Sequence, residues 1–308
     1  MPDTAPEYGP RAELLRLEEV VAVVAAFARV GVDRVRLTGG EPTLRRGLVE
    51  LVAELARLET PGGRVEVVMT TNGELLAPMA ASLRAAGLHG LTVSLDSLAA
   101  DRFTAITRRG RLDRVVAGID AAMAAGFSSV KLNTVAVRGF NDDELPAIAQ
   151  WAWARGVVPR FIELMPMASG ALFVPGTLMP AADIRQCISD ALGVPLVPVL
   201  AAAIRGAGPA SYHEVREGIW AGRVLGTIGA MTENFCASCN RLRISATGQL
   251  HGCLAYDDAG DLRGTLRQHG PDALDGVVQR VLGTKRDGHG FHTDGTGGPR
   301  KAMISIGG

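Results

Sequence analysis

Three of the four cysteines in this 308-residue chain lie in one stretch, TENFCASCNRLRISATGQLHGC, over 232–253. Two residues separate Cys236 from Cys239, and thirteen more precede Cys253. Thiolates are soft ligands. Three of them at this spacing, divided by an Arg241-Leu242-Arg243 strand and a turn at Thr247-Gly248, suit one metal centre better than core packing. The spacing leaves zinc and an iron–sulfur cluster both open. Zinc would want a fourth ligand, either His251, on the same strand face as Cys253, or Cys187. Cys187, on the apolar side of a helix in IRQCISD, reads better as a core residue. A cluster on three cysteines would leave one iron open to a substrate atom.

A second set of residues is cationic. Arg34 and Arg36 share a strand face, Lys131 and Arg160 lie on later strands, and Arg241 and Arg243 share a face beside the cysteines. Singly, each reads as a solvated or salt-bridged side chain. Together they could line a pocket in which buried cations demand an anionic ligand, and nucleotide phosphates fit that demand. Neither a Walker A nor a G-x-G-x-x-G sequence is present, so side chains would have to hold the phosphates.

The elements that must position these groups follow a βα rhythm. Strands are predicted at 33–37, 65–70, 91–95, 130–137 and 158–163, with helices at 16–30, 47–58, 77–86, 112–125 and 143–154. Glycine and polar signals fall at the strands' carboxyl ends, in Thr38-Gly39-Gly40-Glu41-Pro42, Thr71-Asn72-Gly73, Asp96-Ser97 and Leu164-Met165-Pro166. Parallel barrels place their sites at those ends. Beyond 167 the pattern changes to a loop at 168–176, a helix at 181–191 and a surface connection over 194–209. Short strands near 212–215, 224–228, 241–244 and 250–254 are then read as one small lobe carrying the cysteines. Two helices, 262–268 and 271–282, and a glycine-rich tail complete the chain. The expected organisation is a partial (β/α) barrel over 1–167, a helix and connection over 168–210, the cysteine lobe over 211–290 and a flexible tail over 291–308.

Composition sets bounds. Hydrophobic residues make up 47% of the chain, enough for a large core, and 32 basic against 32 acidic residues give no net field for nucleic acid or an anionic membrane. The longest apolar reach, 192–204, is short and broken by Pro195 and Pro198, so no membrane span is expected. With no basic-then-apolar start, the protein is expected to be cytoplasmic, where cysteines at ligand spacing favour a metal over a disulfide.

Read in order, RLTGGEP at 36–42, TTNG at 70–73, VSLDS at 93–97, VKLNTV at 130–135, GFNDDE at 139–144, RFIELMPM at 160–167, the cysteine stretch and the terminal Gly-Gly resemble the GTP 3',8-cyclases. These are radical-SAM enzymes of molybdopterin biosynthesis. The resemblance implies an α/β fold, a (β/α)6 radical-SAM-type barrel with a small C-terminal α+β lobe carrying the cysteine knuckle. It implies a [4Fe–4S] cluster on Cys236, Cys239 and Cys253, its open iron facing the guanine of GTP. Gly40, Ser94 and Met165 match positions that contact S-adenosylmethionine (SAM), and Arg36, Thr70, Lys131, Arg160, Arg241, Leu242 and Arg243 match positions that hold GTP. Gly307 and Gly308 match a tail that reaches the active site. The implied reaction cleaves SAM reductively to a 5′-deoxyadenosyl radical, which takes hydrogen from C3′ of GTP. Attack of C3′ on C8 then gives (8S)-3',8-cyclo-7,8-dihydroguanosine 5'-triphosphate. An electron donor is implied as a partner, and a homodimer is allowed.

One departure qualifies this. The family binds SAM on a second, N-terminal cluster held by C-x3-C-x2-C followed by Met-Pro; this chain opens Met1-Pro2, and no cysteine precedes Cys187. That cluster cannot be built from these residues, nor are the family's first barrel strand, N-terminal arginine and cysteine-adjacent tyrosine among them. An incomplete barrel of five strands and an inactive chain are therefore expected. Either the start is placed too late, or the chain is a remnant that binds GTP without turnover. The alternatives from other classes are a non-catalytic GTP-binding or interaction protein keeping one cluster, and a zinc-stabilised barrel acting on another anionic substrate.

Overall fold

A computed structural model describes residues 10–168, 173–200, 208–303 and 306. The first half alternates helix and strand. The order is α1 (Leu17–Arg29), β1 (Arg34–Leu37), α2 (Leu48–Arg57), a small hairpin of β2 (Glu59–Thr60) and β3 (Gly63–Arg64), β4 (Glu66–Thr71), α3 (Ala80–Ala85), β5 (Gly90–Ser94), α4 (Ala100–Thr107), α5 (Leu112–Ala124), β6 (Val130–Ala136), α6 (Leu145–Ala154) and β7 (Val158–Glu163). Near-continuous burial along β4 and β5 suits strands covered on both faces, and α2 turns an apolar stripe toward the sheet.

After α7 (Ala181–Leu192) come β8 (Leu196–Val199), β9 (Ser211–Val215) and β10 (Val224–Ile228). All three join the main sheet, whose order is β1-β4-β5-β6-β7-β10-β9-β8. Strand β10 pairs in parallel with β7, β9 is antiparallel to β10, and β8 is antiparallel to β9. This corrects the strand reading in three places. The strands near 212–215 and 224–228 belong to the barrel sheet rather than the cysteine lobe, the stretch 194–209 contains a strand, and the parallel run has six strands where five were expected. The physical reason is that β7 leaves an edge with unpaired N–H and C=O groups, and β10 satisfies it although some sixty residues of chain intervene. The sheet is open, running from a β1 edge to a β8 edge, so the fold is an incomplete (β/α) barrel.

The cysteine lobe is a three-stranded antiparallel sheet of β11 (Arg243–Ile244), β12 (Gln249–His251) and β13 (Gly260–Asp261), followed by α8 (Leu262–His269) and α9 (Leu274–Gly283). Leu250, Leu262, Leu274, Val277 and Val278 bury themselves against Val23, Ala26 and Phe27, so α1 lies between barrel and lobe. Arg267 fixes that junction, its Nε donating to Glu19 Oε1 at 2.7 Å and its Nη1 to the Ala12 carbonyl at 3.0 Å. Part of the expected tail packs down. An added Cβ on Gly298 would collide with the Pro166 carbonyl oxygen, and the Ala168 N–H donates to the Lys301 carbonyl at 3.2 Å. Among the described residues, no helix is long and apolar enough to cross a membrane.

Candidate active site

Parallel register decides which side chains meet. Ser94, Asn133, Arg160, Gly226 and Tyr212 are successive partners across β5, β6, β7, β10 and β9. Thr70, Thr92 and Lys131 form the adjoining row on β4, β5 and β6. Arg36 reaches this row from β1, donating from Nη1 to Thr70 Oγ1 at 3.0 Å and Thr92 Oγ1 at 3.1 Å. Arg160 donates from Nη2 to the same Thr92 oxygen at 3.1 Å and from Nε to Asn133 Oδ1 at 3.0 Å. A threonine hydroxyl has two lone pairs, and Thr92, 1% exposed, gives one to each guanidinium. Gly226 leaves the space beside them: an added Cβ would stand 3.1 Å from Arg160 Cγ and from Tyr212 Cε1.

The cations repel one another. Burial, and then the fields of Arg160, Arg36 and Arg34, bring the Lys131 ammonium down to about 7. Loss of hydration, then Arg160, Arg34 and Arg243, lower Arg36 to about 10, although its side chain stays accessible from the open side of the sheet. Burial lowers Arg160 as well, against the favourable Tyr212 hydroxyl. Arg34 is committed to Glu66, donating from Nε to Oε2 at 2.9 Å. Arg243 is felt at Arg36, so the knuckle's strand turns its cation toward the barrel set. Burial first, then Arg241, pull Arg243 itself down to about 10.

At the knuckle, Cys236–Ser238 form a single turn, and the Cys236 N–H donates to Asn234 Oδ1 at 2.7 Å. Burial and then the neighbouring Cys253 and Cys239 raise the Cys236 thiol, so the three sulfurs share one region. Burial also opposes ionisation of Cys239, but the Arg241 backbone N–H and guanidinium and the Lys285 ammonium outweigh it, and its net shift is downward. Arg241 Nη2 donates to Cys239 Sγ at 3.4 Å while its guanidinium lies over the Phe235 ring, 4.9 Å from the centroid. The Ala255 N–H donates to Cys253 Sγ at 3.4 Å. Leu242 points away from the barrel set, packing against the lobe core. Neither extra zinc candidate is drawn in. Cys187 packs against the barrel core, and His251 Nδ1 lies 3.0 Å from the Asp258 carbonyl and 2.9 Å from Lys301 Nζ. Among the described residues, no three His, Cys, Asp or Glu side chains converge on a single-ion site.

The strand-end residues are organised by carboxylates. Gly40 sits in the bend after β1, beside Glu41. Glu41 Oε1 accepts from the Thr43 N–H at 3.0 Å and Thr71 Oγ1 at 2.7 Å, and its Oε2 from the Asn72 N–H at 2.7 Å, so it straps β1 to β4. Ser94 is exposed at the end of β5. Just beyond it, Ser97 Oγ and the Leu98 N–H each donate to Glu144 at 2.8 Å. Met165 follows β7, where the fully buried Glu163 accepts from the N–H groups of Ala181 at 2.6 Å, Met231 at 2.6 Å and Thr232 at 2.9 Å, and from the Thr232 hydroxyl. Glu163 thus joins the strand that carries Arg160 to the start of the cysteine stretch. None of Thr92, Asn133, Tyr212, Glu41, Glu144 and Glu163 is among the sequence-predicted site residues; the motifs containing Glu41, Asn133, Glu144 and Glu163 carry a signal for those four, and Thr92 and Tyr212 have none. Gly307 and Gly308 lie outside the described residues.

A parallel sheet with its polar motifs at the strand ends and a thiolate knuckle beside it has counterparts among known proteins. Residues 3–152 match the Radical SAM superfamily, and residues 158–291 match Molybdenum Cofactor Synthesis C. The fold and these matches define a radical-SAM protein of molybdenum cofactor synthesis. The GTP 3',8-cyclase of Pelotomaculum thermopropionicum is 42% identical over 309 residues, covering 100% of this chain and 92% of that one. Those of Rhodopseudomonas palustris and Mesorhizobium japonicum are 43% and 42% identical, each covering 92% of this chain, with 80% and 84% of their own lengths matched. The chain belongs to the GTP 3',8-cyclase family.

Proposed function

We propose that these residues form the GTP-binding part of a 3',8-cyclase, acting on GTP to give (8S)-3',8-cyclo-7,8-dihydroguanosine 5'-triphosphate. The observation that carries the reading is the gathering of Arg36, Lys131 and Arg160 about Thr92, with the fields of Arg160 and Arg243 felt at Arg36 and those of Arg160 and Arg36 at Lys131. Cations gathered against their own repulsion lower the energy of a bound polyanion, and a triphosphate supplies enough charge. Arg36 and Arg160, already aimed by Thr92, suit forked contacts to phosphate oxygens, and Lys131 suits a point contact. Arg243, which interacts with both Arg36 and the thiols, and Arg241 beside Cys239 are assigned to the base end of the nucleotide.

The donor set at the knuckle fits a cluster. Three thiols with two cations and a backbone N–H directed at their sulfurs match an anionic iron–sulfur group. Four-coordinate zinc would draw its thiolates to within about 4 Å of one another, whereas a four-iron cube spaces them more widely. When bound, the cluster supplies an iron open to the guanine. Gly40, Ser94 and Met165 mark the rim that would meet SAM, with Glu41, Glu144 and Glu163 holding the loops that carry them. The described part of the 291–308 tail seats Gly298 against Pro166, next to Met165 of that rim; a role for Gly307 and Gly308 there is proposed from the family resemblance alone. These 308 residues hold no cysteine ahead of Cys187, so the chain by itself is proposed to bind GTP without cleaving SAM.

Anaerobic reconstitution with iron and sulfide, followed by GTP titration, tests this. The expected result is about four irons per chain, lost in Cys236→Ala, with GTP affinity reduced at least tenfold in Arg243→Ala and no 5′-deoxyadenosine formed from SAM. Zinc as the sole metal taken up, or unchanged affinity in Arg243→Ala, overturns the site reading. Release of 5′-deoxyadenosine overturns the proposed inactivity.

A further inference from the structure

The two arms of the cysteine knuckle meet at a residue that neither the motifs nor the register accounts for. The hairpin of β11 and β12 pairs Arg243 with His251 and Ile244 with Leu250, and its ladder goes no further. Cys239 and Arg241 on one arm, and Gly252 and Cys253 on the other, lie beyond that last pair. Lys285 spans the gap. Its Nζ donates to the Arg241 carbonyl at 2.9 Å and the Gly252 carbonyl at 3.1 Å, and lies 3.8 Å from Cys239 Sγ. All three ammonium hydrogens are thus directed into the knuckle.

The stem is placed to make this reach. Lys285 follows α9, its backbone N–H donating to the Leu282 carbonyl at 3.1 Å, a position where a cation also meets the helix's negative end. Gly252 lets the stem pass: an added Cβ there would stand 3.4 Å from Lys285 Cγ and 3.1 Å from the Val281 carbonyl oxygen. Two neutral carbonyls need only a neutral donor. The sulfur of Cys239 is where the positive charge matters, because a ligated thiolate and its cluster are anionic, and Arg241 already supplies a cation at 3.4 Å from the same atom.

We propose that Lys285 is a positioning residue for the iron–sulfur cluster, clasping the two arms that carry Cys239 and Cys253 and offsetting the cluster's negative charge. This rests on the cluster reading given above. A cation beside the cluster favours its reduced, more negative form, and partners of metal ligands typically change retention ten- to a hundredfold.

The test compares the full chain with Lys285→Met, Lys285→Gln and Lys285→Arg after anaerobic reconstitution, reading iron loss to a chelator and the midpoint potential by titration followed with electron paramagnetic resonance. The expected result is iron loss about tenfold faster in Lys285→Met. Its midpoint moves to more negative potential, while Lys285→Arg stays at the wild-type midpoint. Equal loss rates and equal midpoints in wild type and Lys285→Met overturn the proposal. Should Lys285→Met not fold, the neutral donor of Lys285→Gln decides: a negative shift supports the charge role, and an unchanged midpoint overturns it. A wild-type chain that takes up no iron overturns this proposal and the cluster reading together, whereas normal wild-type loading with indifferent variants overturns this proposal alone.

Discussion

At the proposed GTP site, Lys131 should make binding depend on pH, with affinity falling as pH rises. Burial and three nearby guanidinium groups bring its ammonium down to about 7. At pH 7.5 about three-quarters of ligand-free chains therefore hold a neutral amine. A triphosphate seated among Arg36, Lys131 and Arg160 reverses the local field and returns the amine to its charged form. Binding at pH 7.5 should accordingly take up about 0.7 of a proton per chain. Because the bound state holds more protons than the free state, affinity falls as pH rises, by up to tenfold per unit above about pH 7. Below that value the amine is charged in both states and adds no slope.

Lys131→Met isolates the effect. Near pH 6 it removes a charged contact worth about 1.5–3 kcal/mol, a loss of roughly ten- to a hundredfold in affinity. At pH 9, recharging the wild-type amine costs about 2.7 kcal/mol, so the two proteins should bind nearly equally there. Calorimetric titration of GTP in pairs of buffers with different ionisation enthalpies reads the proton uptake directly. The variant serves as the control for GTP's own phosphate proton. Equal proton uptake by wild type and Lys131→Met at pH 7.5 refutes the reasoning.

Two further substitutions probe the scaffold. Thr92→Val keeps the shape of the side chain but removes the acceptor shared by two guanidinium groups; since Arg36 can turn to water and Arg160 cannot, the cost should be about 2–3 kcal/mol, or a melting temperature lower by about 5–10 °C. A loss below about 0.5 kcal/mol in denaturant titration would show that Thr92 does not hold the pair. Gly298→Ala forces a methyl group against the Pro166 carbonyl, at a cost of about 1–3 kcal/mol, and should lift the tail so that trypsin cuts after Lys301 several-fold faster. Unchanged cleavage and melting would remove that contact from the account.

The sequence made the repeating βα units and the thiolate knuckle legible because both are local patterns: period and spacing survive without knowledge of the fold. What it hid was registered across strands. Thr92 is a common residue in a strand, and only its pairing beside Thr70 and Lys131 makes it the hub of two arginines. Strand β10 follows a long irregular stretch, so chain order alone assigned it to the lobe, while the open β7 edge claimed it for the barrel. Lys285, in the run TKRDGH, has the surroundings of a solvated charge until α9 aims it at the two arms of the knuckle.

The charged residues divide by sign into two kinds of work. Glu41, Glu144 and Glu163 lie within the recognisable motifs, yet each accepts hydrogen bonds from backbone N–H groups or hydroxyls of its own or neighbouring loops, and so fixes where those loops sit. The barrel cations do the opposite, carrying charge that burial penalises at Arg36, Lys131 and Arg160 and that neighbouring guanidinium groups penalise further at Arg36 and Lys131. A fold tolerates such a penalty when rigid surroundings impose it and a ligand relieves it. Glu163 links the two kinds of work, anchoring the strand that carries Arg160 to the segment that begins the knuckle.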